Sequence, residues 1–451
     1  MPVAGPLGRG VVRGYDTRVR RPRQKPVRWL PQGRRGRAAA LAAVAVAGAG
    51  GIVAVLRWKL WSEAVPDVAP ARLTDWFDPA ELTRNRDYRR GVWTMAVIGI
   101  PVAAAATVAV AMLGGHWRPL VVRAARARYW RAGALTGAGI SVATFLAGLP
   151  LAGARYGWGR DHGLVTQSVP GWIADLGKGL GVSVVVGGLI GSGAAVAIGR
   201  LPRAWWVALA GGVGALVYLM SLLSPLLLEP LFQKTEPLRD ARLSAQILDI
   251  AHRAGVQADD VKVNVASTRT TAATAYVSGL GGCRHVVLYD TLLRDFPEDQ
   301  VRMVVAHELA HVERHHVLKG STWGAALAVP GCLLIFAVVG WRTGFGRAGR
   351  DAAGCDLVVR RVAIAAATAA VIGAASAPLS NWVSRAYERE AEWRGLQLSG
   401  DPQAAIGLQQ GLVAKSLGVP DPPEGIQVWF GSHPTALERI GMALRAERGG
   451  S

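Results

Sequence analysis

The residue pattern with the clearest chemistry in this 451-residue chain is His-Glu-Leu-Ala-His at positions 307–311. Residues four apart lie on one face of an α-helix, so His307 and His311 can bind one metal ion while Glu308 lies beside the open coordination position. Zinc held in this way keeps one position for water and lowers the pKa of that water towards about 7. The pattern predicts a zinc-dependent hydrolase in which Glu308 is the general base. The alternative is a helix that carries two ordinary histidines.

The residues around the motif predict that it lies on a helix. Glu298 and Asp299 favour a helix N-terminus, and apolar residues then recur at helical spacing. His315, four residues beyond His311, offers a competing pair of ligands, but no glutamate follows His311 in the base position. We expect His315 and His316 to be solvated at the helix end.

A catalytic zinc site needs three protein ligands, so one must come from elsewhere in the chain. Glu388 is the best candidate, and Glu392, one turn later, can hydrogen-bond a ligand from outside the first shell. On spacing alone Glu390 competes with Glu388. A charged helix that leaves a membrane is also explained equally well as a solvated surface.

The chain as a whole has the composition of a membrane protein. It is 51% hydrophobic and carries a formal net charge of +20. About seven segments approach the length of roughly 20 residues that crosses a bilayer, and none of them contains an acidic or basic residue. These segments are 38–56, 92–113, 132–153, 179–199, 204–228, 321–341 and 362–380. The predicted fold class is mostly α, a polytopic membrane protein with a small α+β metalloprotease domain.

The net charge is concentrated in residues 1–37, which hold eleven Lys or Arg and one acidic residue, Asp16. Directly before an apolar segment, such a disordered tail favours attraction to anionic lipid headgroups, and we expect no nucleic-acid partner. The three cysteines, Cys283, Cys332 and Cys355, have neither disulfide nor CxxC spacing. Any zinc must therefore be held by histidines and carboxylates.

Five regions follow from these patterns. They are the basic tail 1–37, an N-terminal membrane region 38–230 with about five spans, an α+β catalytic segment 231–320, two further spans in 321–380, and a C-terminal catalytic segment 381–451 with the third ligand. Within the α+β segment, strands are predicted at Thr274–Ser278 and His285–Tyr289, joined by a glycine-rich hairpin, directly before the motif helix.

Several of these residues together resemble the CAAX prenyl protease type I family. The resemblance is carried by 307–311, then Ser384-Arg385-x-x-Glu388-x-x-Ala391, and then Ser432-His433-Pro434 with Arg439-Ile440. It extends upstream to Phe77-Asp78-Pro79, to Gly163-Leu164 and to Pro230-Leu231-Phe232-Gln233-Lys234. It covers most of the chain after the tail.

This resemblance implies a membrane zinc endopeptidase with one zinc ion held by His307, His311 and Glu388. It also implies that His433 helps to stabilise the tetrahedral oxyanion and that Arg439 supports that segment. From the residues alone, His433 is explained better as a helix-start residue before Pro434.

Two positions depart from the family pattern. Glu392 stands where the family usually has Asp, and Thr274-Ala275-Tyr276 stands where the substrate-pairing strand usually has Asn-Ala-Tyr. Strand pairing with a substrate uses backbone groups and should survive the second change, although a side-chain amide contact is lost.

The predicted function is hydrolysis of peptide bonds in membrane-associated, lipidated or misfolded polypeptides, with the polypeptide and the lipid bilayer as partners. The alternative is a membrane sensor or transport protein whose metal is structural. A closed four-ligand site would favour that alternative, and an open fourth position would favour the enzyme.

Two predictions disagree about the side of the membrane on which the site lies. With the N-terminus inside, the tail and segments 114–131, 200–203 and 342–361 are cytoplasmic and all basic. By the positive-inside rule this places the metal site outside the cytoplasm. The family resemblance implies the opposite, because eukaryotic members have a catalytic domain that faces the cytosol.

Overall fold

The computed structural model describes residues 65–449 except 225–228 and 282. The predicted basic tail 1–37 and the predicted span 38–56 lie outside the described residues. In chain order the helices are α1 Pro79–Met112, α2 Gly114–Ala124, α3 Tyr129–Asp161, α4 Val169–Arg200, α5 Trp205–Leu223, α6 Glu229–Phe232, α7 Ala241–Arg253, α8 Asp290–Asp295, α9 Glu298–Glu313, α10 His316–Thr343, α11 Ala352–Ala375, α12 Ala377–Ser399, α13 Pro402–Lys415, α14 Glu424–Phe430 and α15 Ala436–Glu447. The strands are β1 Thr235–Pro237, β2 Asp260–Asn264, β3 Ala275–Leu280 and β4 Cys283–Tyr289.

Six of the described helices are long and apolar enough to cross a bilayer: α1, α3, α4, α5, α10 and α11. Each of them overlaps one of the six predicted spans that fall wholly or partly within the described residues, so the polytopic membrane fold is confirmed. The last predicted span, 362–380, was placed too far along the chain, because α11 already ends at Ala375. Residues after Ser376 belong to α12, which carries the charged catalytic segment.

Helices α3 and α4 approach each other closely along glycine-lined faces. Gly133 and Gly137 of α3 lie against Gly187 and Gly191 of α4, and a Cβ added to Gly137 would overlap the carbonyl oxygen of Gly187. Small residues permit this approach where lipid supplies no hydrophobic force between helices. Gly139, two residues along, has no atom within 4 Å of an added Cβ.

Gly137→Val is therefore expected to lower the free energy of unfolding by about 1–3 kcal/mol, because the added side chain forces the two backbones apart. Gly139→Val has the same change in helix propensity and is expected to have a much smaller effect. Thermal unfolding of both variants in the same detergent compares them. An equal loss in the two variants would contradict this packing.

The polar part of the chain folds around a four-stranded sheet in the order β1-β2-β4-β3. Strands β2 and β4 are parallel, whereas β1 pairs antiparallel with β2 and β3 pairs antiparallel with β4. Leu280 pairs with Cys283, which is the predicted hairpin. In α7, residues at helical spacing, including Ile247 and Ile250, are buried against this sheet.

The two catalytic segments predicted separately, 231–320 and 381–451, share one hydrophobic core within the described residues. That core contains Ile247 and Leu288 from the first segment and Leu396 and Ile440 from the second. The chain before α1 also joins it through Phe77. The membrane helices α10 and α11 thus separate two halves of one folded unit in sequence only.

Three basic segments meet at one end of the membrane helices. At one end, Arg118 of α2 lies 3.1 Å from Asp356 of α11, and Tyr129 at the start of α3 donates to the carbonyl oxygen of Gly349. This end carries the basic segments 114–131, 200–203 and 342–361. The sheet and α9 lie at the opposite end, so the charge rule still predicts a site outside the cytoplasm.

Cys283 provides a test of sidedness, because it is exposed in the catalytic segment while Cys332 and Cys355 are buried. A membrane-impermeant maleimide is expected to label Cys283 in right-side-out vesicles, and Cys283→Ser should remove the label. Labelling confined to inside-out vesicles would place the catalytic segment in the cytoplasm and contradict the prediction.

Candidate metal site at the HExxH helix

Helix α9 carries the motif in its second half, where the surrounding residues are apolar. The helix begins after Pro297, with Glu298 and Asp299 in its first turn, as the charge preference of a helix N-terminus favours. Val305 and Leu309 on its inner face are fully buried. The burial of this face holds His307, which is 8% exposed, at the junction with α12.

Three side chains from α9 and α12 meet at one point: His307, His311 and Glu388. The Nε2 atoms of the two histidines are 3.1 Å apart. Oε2 of Glu388 lies 3.3 Å from Nε2 of His307, and its Oε1 lies 3.5 Å from Nε2 of His311. A tetrahedral ion with ligand distances near 2.0–2.1 Å has donor atoms about 3.3 Å apart. The two histidine nitrogens and the carboxylate oxygens of Glu388 are therefore spaced close to what such an ion requires.

The structure also separates Glu388 from Glu390, which competed with it on spacing alone. Glu388 lies at the histidine pair, whereas Glu390 is 3% exposed and lies 3.4 Å from His316 on another side of α12. His315 is exposed, as expected, and has a left-handed backbone with φ 54°. The expectation that His316 is solvated was wrong. His316 is 5% exposed, because the turn at His315 folds it back against the motif helix.

Glu392 and Arg439 surround the ligands from outside. Oε2 of Glu392 is 3.2 Å from Nδ1 of His307, the ring nitrogen that does not face the cluster. Arg439 of α15 lies 3.2 Å from Oε2 of Glu388 and 3.3 Å from Oε2 of Glu392. The guanidinium thus contacts both carboxylates directly. The family resemblance implied only that Arg439 supports the segment around His433.

Burial and neighbouring charged groups shift the pKa values of these side chains in opposite directions. Burial by itself lowers the pKa of His307, but Glu388 and Glu392 outweigh burial and raise that pKa to about 9. Burial would raise the pKa of Glu388, yet the hydrogen bonds from His307 and His311 hold it far below its usual range. The pKa of Glu392 is also held low despite burial, chiefly by Arg439. Both carboxylates are therefore anionic and suited to a cation.

Glu308 directly follows His307 on α9 and is partly buried, whereas His433 lies at the more exposed side of the cluster. Burial raises the pKa of the Glu308 carboxyl above its usual value, and the two motif histidines oppose that rise. Nε2 of His433 is 3.4 Å from Oε2 of Glu388, and 58% of the His433 side chain is exposed. Its Nδ1 lies 2.8 Å from the hydroxyl of Ser432. The ring is thus held at the rim of the cluster, accessible to a bound molecule.

The predicted substrate-pairing residues lie at the edge of the sheet. Thr274 directly precedes β3, while Ala275 and Tyr276 are its first residues. Strand β3 pairs with β4 on one side, and no other described strand pairs with its second side. The hydroxyl of Tyr276 donates to Oε1 of Gln233 at 2.5 Å, which anchors this strand to the segment after α6.

Comparison with known families identifies two matching models. Residues 237–447 match the model described as peptidase family M48, and residues 63–234 match the model described as the CAAX prenyl protease N-terminal region with five membrane helices. The two matches meet near β1 and together run through almost all described residues.

Curated relatives include an uncharacterized metalloprotease of Bacillus subtilis, YhfN, which is 29% identical over 315 residues, 68% of this chain and 72% of that protein. CAAX prenyl protease 1 of Saccharomyces cerevisiae is 29% identical over 149 residues, 33% of either chain. A protease HtpX homolog of Burkholderia thailandensis is 31% identical over 35% of this chain and 59% of that protein. The last two matches thus span less than two thirds of those relatives.

Among solved structures, the crystal structure of Ste24p from S. mikatae superposes with a TM-score of 0.69 at 20% sequence identity. The match covers 90% of this chain and 97% of that chain. At this identity the similarity establishes a shared fold.

The geometry of the cluster predicts that Glu388→Ala loses bound metal. The expected loss of affinity exceeds the roughly 10- to 100-fold that follows removal of an outer partner, because a direct ligand is removed. Glu313→Ala is the matched control, since Glu313 is a partly buried carboxylate of α9 paired with Arg394 at 2.9 Å. Elemental analysis of both purified proteins measures the metal, and equal loss in both would contradict the assignment.

Proposed function

We propose that this chain, which belongs to peptidase family M48, is a zinc-dependent endopeptidase that hydrolyses peptide bonds of membrane-associated polypeptides. The family match makes it a multi-pass membrane metalloendopeptidase, and the identity of the metal and of the substrate is our proposal. The observation that carries the proposal is the group His307, His311 and Glu388, with donor atoms 3.1–3.5 Å apart.

Zinc suits this donor set. Two imidazole nitrogens and one carboxylate form a ligand combination that catalytic zinc sites use, and the fourth position is left for water or substrate. Among the described residues the group has three members, which favours an open site over the closed four-ligand site of a structural metal. When bound, zinc supplies a Lewis acid for the attacking water and the scissile carbonyl.

The protein residues then move protons and hold the developing charge. Glu308 follows His307 on α9, and we assign it the role of taking a proton from the attacking water and giving it to the leaving amine. We assign His433, at the rim of the cluster, the role of donating a hydrogen bond to the oxyanion through Nε2. Arg439 contacts both Glu388 and Glu392, and we assign it the role of holding these two carboxylates in position.

The edge of β3 offers a binding mode for the polypeptide. An extended substrate can add to the sheet as a further strand, so that backbone groups near Thr274, Ala275 and Tyr276 supply the hydrogen bonds. Helix α9 packs against β3, so a strand added there runs close to the motif helix. Such pairing selects an extended backbone and depends little on substrate side chains.

The position of the site next to a membrane helix supports the proposal that its substrates lie at the bilayer. The spanning helix α10 begins at His316, only five residues after the ligand His311. The reaction centre is therefore joined directly to the end of a membrane helix. Polypeptides that are lipidated, or that are misfolded at the membrane, are the substrate classes that fit this position.

Glu308→Gln is expected to retain zinc and thermal stability while hydrolysis falls by about 10²–10⁴-fold, because the nearly isosteric amide cannot accept the water proton. Glu298→Gln, in the first turn of the same helix and 46% exposed in its side chain, is the control and should retain activity. Turnover of a fluorogenic peptide by purified protein, with zinc content measured in parallel, tests this role. Wild-type turnover by Glu308→Gln would exclude the mechanism.

A further inference from the structure

We infer that His316 and Glu390, which lie outside the motif, form a positioning chain that fixes the ring of the ligand His311. The inference rests on the metal site proposed above and assigns it two further residues. Nδ1 of His316 lies 2.8 Å from Nδ1 of His311. Nε2 of His316 lies 3.4 Å from Oε2 of Glu390.

The direction of the hydrogen bond between His311 and His316 follows from the ligand role of His311. Its Nε2 faces His307 and Glu388, so a metal bound there leaves the ring proton on Nδ1. That N–H can only donate, and Nδ1 of His316 is the acceptor at hydrogen-bond distance. The proton of a neutral His316 is then on Nε2, which faces the carboxylate of Glu390. This arrangement makes the contact between the two rings a hydrogen bond and directs the Nε2 proton of His316 towards Glu390, at 3.4 Å, an ion-pair distance without hydrogen-bond geometry.

The surroundings hold this chain in place. His316 is 5% exposed and Glu390 is 3% exposed, so neither side chain is free to turn into solvent. The ring of Tyr387 stacks on His316 with centroids 4.8 Å apart and an interplanar angle of 16°. Lys319 and Arg314 lie 3.8 and 4.0 Å from Oε1 of Glu390, so two cationic side chains flank its carboxylate.

The same type of support is present at the other histidine ligand by a different route. Nδ1 of His307 contacts the carboxylate of Glu392 directly at 3.2 Å. At His311 an imidazole is inserted between the ligand and the carboxylate. Partners of this type orient metal ligands and raise their basicity, and their removal typically costs about 10- to 100-fold in metal affinity. His316 and Glu390 occupy that position for His311.

Two amide substitutions distinguish this role from simple burial of a polar pair. In His316→Asn the side-chain amide oxygen takes the position of Nδ1 and can accept the hydrogen bond from His311. In His316→Gln the amide takes the position of Nε2, so it retains the contact with Glu390 but offers His311 no acceptor. His316→Phe keeps a ring against Tyr387 and removes both contacts.

The experiment measures zinc affinity of the purified full-length protein by competition with a chelator. His316→Phe and His316→Gln are each expected to weaken zinc binding by about 10- to 100-fold, whereas His316→Asn remains within about threefold of wild type. Glu390→Gln is expected to weaken binding by about tenfold. The exposed neighbour His315, replaced as His315→Asn, is the control and should leave the affinity unchanged, because Asn tolerates the left-handed backbone at this position.

The outcomes separate this inference from the proposed function. If wild type binds one zinc ion and Glu388→Ala abolishes binding, the metal site stands whatever the His316 variants do. Wild-type affinity in His316→Phe, or an affinity of His316→Gln that exceeds that of His316→Asn, would then overturn the positioning chain alone. If wild type binds no zinc, the proposed function and this inference both fail. Should His316→Phe fail to fold, the comparison of the Asn and Gln variants still decides.

Discussion

The carboxylate of Glu388 is the interaction on which the rest of this site depends. It contacts His307 and His311 from α9, Arg439 from α15 and His433 from the loop before α15. A buried carboxylate is costly unless opposite charges and hydrogen bonds compensate it. Those compensating groups come from two separate parts of the chain, α9 and the segment 433–439. The single anion therefore draws α9, α12 and α15 into one arrangement and holds them there.

Helix α12 repeats this solution three times within five residues. Glu388 faces the histidine pair, Glu390 faces His316 and Lys319, and Glu392 faces His307 and Arg439. All three side chains are buried, at 9%, 3% and 2% exposure. Each lies within 4 Å of a cationic or imidazole side chain, and Glu388 and Glu392 share His307 and Arg439, so none is left as an uncompensated buried charge. A helix with such a charge pattern reads as a solvated surface until its partners are known.

The membrane helices contribute to the site by bringing these distant segments together. The chain leaves the catalytic unit at His316, crosses as α10, returns as α11 and re-enters the unit at α12. The residues on either side of this excursion pack in one hydrophobic core. The first turn of α10 also carries His316 against His311, so the start of a membrane span is part of the surroundings of the metal site. A movement of that span would therefore displace His311 through its single contact with His316.

The sequence by itself determined what depends on local periodicity. Residues four apart share a helix face, so the pairing of His307 with His311 could be read from spacing, and apolar length indicated the spans that the structure contains. Glu388 and Glu390 are two residues apart, about 200° around a helix, and spacing cannot say which side faces α9. Only the packing of α12 against α9 decided that. The burial of His316 was predicted wrongly for the same reason, because it follows from the backbone turn at His315 and from the contact with Tyr387. Contacts between segments some 80 residues apart leave no periodic signal in one sequence, so the partners around the two ligand histidines became visible only in the tertiary structure.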